Sequence, residues 1–73
     1  MSQATARFAT SGMHCSSCAM LIEMTVNDLE GVESTKADHA DGVTVVVYDD
    51  SVLDAVAIEG AIRSAGYEAI QLA

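Results

Sequence analysis

Asp41-Gly42-Val43-Thr44-Val45-Val46-Val47-Tyr48 is the stretch from which the architecture can be built. An Asp-Gly pair is tight-turn chemistry, because glycine adopts the positive φ that hairpin turns need. The six residues after it are β-branched, apart from Tyr48, and form the clearest strand in the chain. The turn sends this strand back along Val32 to His39, a polar and weakly extended segment suited to an edge strand covered on one face. The middle of the chain is therefore a β-hairpin.

Moving toward the N-terminus, Cys18, Leu21, Ile22, Val26 and Leu29 recur at helical spacing and leave Glu23, Asn27 and Asp28 outside. Such a helix starts at Ser16 and stops at Gly31. Before it, from about Ala4 to Thr10, a short extended segment puts Ala6 and Phe8 on one face and Arg7 and Ala9 on the other. Toward the C-terminus, Asp54 can cap a second helix, and Leu53 is placed to pack on Ile58 as a hydrophobic staple. Val56, Ile58, Ala61, Ile62 and Ala65 are expected on its buried side, Gly66 ends it, and Tyr67 to Leu72 makes the last strand. Gly60 inside this helix costs roughly 1 kcal/mol relative to alanine, and close helix packing is the expected reason.

The order strand, helix, strand, strand, helix, strand predicts an α+β, ferredoxin-like βαββαβ sandwich, with a four-stranded antiparallel sheet and both helices on one face. The 73 residues are 51% hydrophobic and contain no proline and no linker-like tract, so residues 1–73 read as one domain with a single two-layer core. Eleven Asp and Glu against three Lys and Arg give a formal net charge of −8. That charge repels phosphate backbones and anionic membranes, and with no tryptophan and no basic cluster it argues against nucleic-acid binding. No run is long enough to span a bilayer, and the first residues lack a secretory pattern. A cytoplasmic location, where thiols stay reduced, is the resulting expectation.

The chemistry is concentrated in Gly12-Met13-His14-Cys15-Ser16-Ser17-Cys18, which holds both cysteines, at the junction of the first strand and the first helix. Two thiols at this spacing can converge on one soft ion or on each other, so the pair reads as a metal clamp or a redox pair. Two cysteines and two histidines do not make a closed zinc site here, since His39 falls on the far hairpin. Asp38, Asp41, Asp49 and Asp50 lack the spacing of a calcium loop and read as solvated surface.

This order of elements, together with the Gly-Met-x-Cys-x-x-Cys loop, resembles the heavy-metal-associated domain family of copper chaperones and N-terminal domains of metal-exporting P-type ATPases. Further blocks carry the likeness: Leu29-Glu30-Gly31-Val32, Val43 to Asp49, and Ala61-Ile62-Arg63-Ser64-Ala65-Gly66-Tyr67. The resemblance implies that Cys15 and Cys18 bind Cu(I) through both sulfurs in an accessible, near-linear site. It implies a non-enzymatic role in which copper passes to a partner's Cys-x-x-Cys site, such as that of a copper-transporting P-type ATPase, by thiolate exchange. Zn(II) or Hg(II) is the alternative ion, and a thiol-disulfide oxidoreductase using the same cysteines is the alternative class. The absence of proline speaks against a thioredoxin-like site, which carries a cis-proline beside its cysteines. The metal-free chain is expected to be a monomer, with a copper-bridged dimer left open.

Three accessory residues go with the cysteines. Met13, by the resemblance, packs into the core and shapes the loop instead of binding metal. His14 stands where the family often has a small polar residue, and reads as an exposed loop residue, a third ligand or a partner contact. Tyr67 matches a residue that shields the metal loop in many bacterial relatives, against the plainer reading of a core-filling aromatic. Met20 and Met24, one turn apart, read as partial core or partner-facing surface. Thr35 and Ala37 replace the larger aliphatic residues usual in the second strand, so a loosely packed edge is expected there.

Overall fold

The computed structural model describes residues 2–13 and 16–72. The elements run β1 (Gln3–Ser11), α1 (Ser16–Asn27), β2 (Val32–Asp38), β3 (Val43–Asp49), α2 (Ala55–Ser64) and β4 (Glu68–Leu72). All strand pairs are antiparallel, in the sheet order β2-β3-β1-β4. The hairpin built on Asp41-Gly42 thus lies to one side of β1, and β4 closes the other side. This is the expected ferredoxin-like arrangement.

Period-two alternation sorts the sheet's side chains. Ala6, Phe8 and Thr10 of β1, with Thr44, Val46 and Tyr48 of β3, are buried under the helices, and their alternates face outward. The helix layer answers with Ala19, Ile22 and Val26 from α1 and Ile58 and Ile62 from α2. Asp54 caps α2 as its sequence position suggests, its Oδ1 accepting the Ala57 N–H at 3.0 Å, and Leu53 lies half-buried against the core containing Ile58. Gly66 has φ +99° and follows the α2 C-cap Ala65.

Several expectations need correction. Helical spacing puts Leu21 and Val56 on buried faces, yet both are exposed, Val56 by 73%. Ala19 is buried on α1 instead, in line with Ile22 and Val26 at spacings of three and seven residues, whereas Leu21 lies about 200° round the helix from it. Gly60 has no close neighbour: a Cβ built there would meet nothing within 4 Å, so helix packing does not explain it. Glu23, expected to stand clear, reaches the edge strand, where its Oε2 accepts the Ala37 N–H at 2.9 Å. The Thr35 hydroxyl likewise donates to Asn27 Oδ1 at 2.8 Å. Polar links from α1 therefore hold the edge where smaller side chains left room, and His39 belongs to the turn, not to β2.

Candidate metal centre

The segment that carries the cysteines follows β1 in sequence, and its second cysteine, Cys18, lies on α1. Gly12 has φ +97°, a conformation that L side chains rarely adopt, and so turns the chain out of the strand. Its missing side chain also matters for packing. A Cβ at Gly12 would lie 3.2 Å from Tyr67 Cδ1, tighter than an ordinary contact, so the ring rests against the loop backbone. Tyr67 is half-buried against the core and abuts the backbone at Gly12.

Met13 is buried within the hydrophobic core, in keeping with a packing role for its thioether. Cys18 lies on the first turn of α1, half-buried, with one side against the same core. Ser16 and Ser17 before it are exposed, and that first turn carries no acidic side chain, leaving the positive end of the helix dipole uncancelled by local charge. His14 and Cys15 lie outside the described residues. The structure thus brings Met13, Cys18 and Tyr67 to one end of the sandwich, just after β1, on α1 and at the α2–β4 junction.

Beneath the loop is a feature that the strand pattern concealed. Thr10 and Thr44 are buried with their hydroxyl oxygens 2.9 Å apart, and the Thr10 N–H donates to the Gly42 carbonyl at 2.7 Å. The hydroxyl pair satisfies two polar groups that burial would otherwise penalise, and it ties β1 to β3 at the level where the loop departs. A threonine in a β-branched run reads only as a strand former, so pairing across 34 residues leaves no local signal.

On the outer face of α1, Met20, Leu21 and Met24 share one exposed patch, with Met20 58% and Met24 66% accessible. Of the two readings for the methionines, partial core falls away and surface stands. Among the described residues no three His, Cys, Asp or Glu side chains group as a metal site. The acidic turn residues are occupied otherwise: Asp38 Oδ1 accepts the Ala40 and Asp41 amides, and Asp49 Oδ1 accepts from Ser51. No described helix is long and apolar enough to cross a membrane.

Comparison with known proteins places this geometry. Copper-transporting ATPase 2 of Homo sapiens is 37% identical over 65 residues, covering 89% of this chain. The chain spans only 4% of that ATPase's length. Copper chaperone CopZ of Staphylococcus aureus (strain bovine RF122 / ET3-1) is 32% identical over 59 residues, which cover 81% of this chain and 87% of CopZ. The crystal structure of a copper-binding domain from HMA7, a P-type ATPase, superposes with a TM-score of 0.92 at 26% identity, over 94% of this chain and 93% of that one. The model of the heavy-metal-associated domain matches residues 7–68, from β1 through the start of β4, and the chain belongs to that family.

Proposed function

We propose that this domain carries Cu(I) between the thiolates of Cys15 and Cys18 and hands it to a partner protein with a similar pair. The observation that carries the reading is the position of Cys18 on the first, accessible turn of α1, three positions after Cys15 in sequence, within a chain that belongs to the heavy-metal-associated domain family and resembles copper chaperones and copper-ATPase domains. Thiolates are soft ligands that suit Cu(I). Two-coordinate copper leaves room for a third sulfur. A partner thiolate attacks the bound ion, a three-coordinate intermediate forms with one new Cu–S bond, and a Cys15 or Cys18 thiolate then leaves. Repetition with the second partner thiolate completes the transfer, and the copper remains Cu(I) throughout.

The surrounding residues divide the remaining work. Met13, anchored in the core, holds the loop at the end of the sandwich, and Tyr67 closes its inner side against Gly12. His14, between Met13 and Cys15, is placed in sequence to contact the partner or lend a third ligand. Met20, Leu21 and Met24 offer an apolar surface next to the cysteine loop on which a partner can settle while sulfurs exchange. The role is that of a non-catalytic carrier in a reducing, cytoplasmic setting, its partner a copper-transporting P-type ATPase or another Cys-x-x-Cys protein.

Anaerobic titration of the reduced chain with Cu(I) against a chelator of known affinity tests this directly. One tightly held copper per monomer, lost in both Cys15→Ser and Cys18→Ser, is expected, with Zn(II) failing to displace it. Weak binding, or binding indifferent to the cysteines, refutes the proposal.

A further inference from the structure

The described methionines fall into two environments. Met13 is buried in the core, whereas Met20 and Met24 stand more than half accessible on α1, outside its buried stripe of Ala19, Ile22 and Val26. Met20 and Met24 are four positions apart, so both side chains leave the helix on one face, with Cβ atoms about 5–6 Å from each other. A methionine side chain is unbranched and flexible, and its sulfur lies beyond Cγ. The two thioethers can therefore close on one ion from consecutive turns. A thioether sulfur is only a weak hydrogen-bond acceptor, so little contact with water is given up when it does so.

Electrostatics around the pair favour a cation. α1 contains no Lys or Arg, and the whole chain carries −8, which raises the local concentration of positive ions. Glu23, the one charged residue between the two methionines, is drawn toward β2, where its Oε2 accepts the Ala37 N–H. Asp28 is exposed one turn beyond Met24 and adds to the negative field. The pair also lies past the first turn of α1, where the helix dipole would oppose positive charge. The field selects a cation, and the donors select which one: thioethers are soft ligands that suit Cu(I) and not a hard ion.

We propose that Met20 and Met24 form a second soft-metal site, separate from the cysteine pair, which holds one Cu(I) between two thioether sulfurs. Both ligands are neutral, so the site binds the ion more weakly than a pair of thiolates does. Leucine at these positions would serve an apolar docking surface equally well. What methionine adds is the sulfur.

The test uses the full chain carrying Cys15→Ser and Cys18→Ser, so its outcome is independent of the copper-carrying role of the cysteines. The chain is titrated anaerobically with Cu(I), and in parallel with Ag(I) as a second soft monovalent probe, while the methionine methyl groups are followed by NMR. The Met20 and Met24 methyls should shift together and saturate at one ion per chain, with the Met13 methyl unmoved. Zn(II), a harder ion, should shift none of the three. Met20→Leu and Met24→Leu each keep the apolar surface, the side-chain volume and the helix propensity, and so remove little besides the sulfur. Either substitution alone should weaken binding at least about tenfold, as read at the methionine that remains. Added salt should also weaken binding, since it screens the attraction of the acidic chain for the ion. The absence of a shift at both methyls, or binding at one methionine that is unchanged when the other is leucine, overturns the proposal.

Discussion

Asp49 shows how a single side chain can serve a turn and be read as something else. The Ser51 hydroxyl donates to Asp49 Oδ1 at 2.6 Å and the Ser51 amide at 3.0 Å, and these bonds, the hydroxyl first, hold the carboxyl below its ordinary pKa. A carboxyl whose folded pKa is depressed favours the native state above its unfolded pKa, and that contribution fades as pH falls through the folded value. Ser51→Ala should raise the Asp49 pKa toward the ordinary carboxylate range, as read by NMR titration of its carboxyl carbon; an unchanged value would mean that Ser51 is not the cause. Gly31 makes a related point. Its φ of +97° suits the helix stop its position suggests, but a Cβ there would also fall 2.5 Å from Leu53 Cδ2 and 2.9 Å from Val52 Cβ. The same glycine accepts the Asp49 N–H at 2.7 Å, so it clamps the α1–β2 corner to the loop before α2.

Among the elements, α2 carries an avoidable defect. Gly60 is exposed in the helix interior with nothing within 4 Å of a built Cβ. Gly60→Ala should stabilise the chain by about 0.5–1 kcal/mol, the full propensity difference, because no contact opposes the added methyl. Thermal unfolding checks this, and a lower melting temperature would reveal a constraint on that helix that its surroundings do not display. In α1, helical spacing finds Ile22 and Val26 of the buried stripe but takes Leu21 in place of Ala19. Leu21 fits the spacing of the larger apolar residues, but the core lies on the side of Ala19. Glu23 and Asn27 also make polar links to β2 that no periodicity of apolar residues could announce.

Across the whole molecule, charge is partitioned. Arg7 and Lys36 lie in one cross-strand row of the open sheet face, on either side of Val45. Arg63 is engaged with Glu59 at 2.7 Å on the helix layer. The remaining surface is dominated by carboxylates, so a partner approaching it should present a relatively basic face. If encounter is steered in this way, raising ionic strength should slow copper transfer in stopped-flow measurements, since screening weakens long-range attraction. A rate independent of salt would remove steering while leaving thiolate exchange intact.

The linear sequence carried the element order, the hairpin at Asp41-Gly42, the Asp54 cap and the glycine stops, because each depends on residues near one another along the chain. It also carried the Gly-Met-x-Cys-x-x-Cys loop and hence the family, since that signature is contiguous. Only the tertiary structure decided the rest. The Thr10–Thr44 hydroxyl pair, the Tyr67 ring on Gly12, the reach of Glu23 to β2 and the choice of Ala19 over Leu21 each join groups on different elements. Their partners are chosen by how the helices settle on the sheet, a packing outcome that local propensity does not encode.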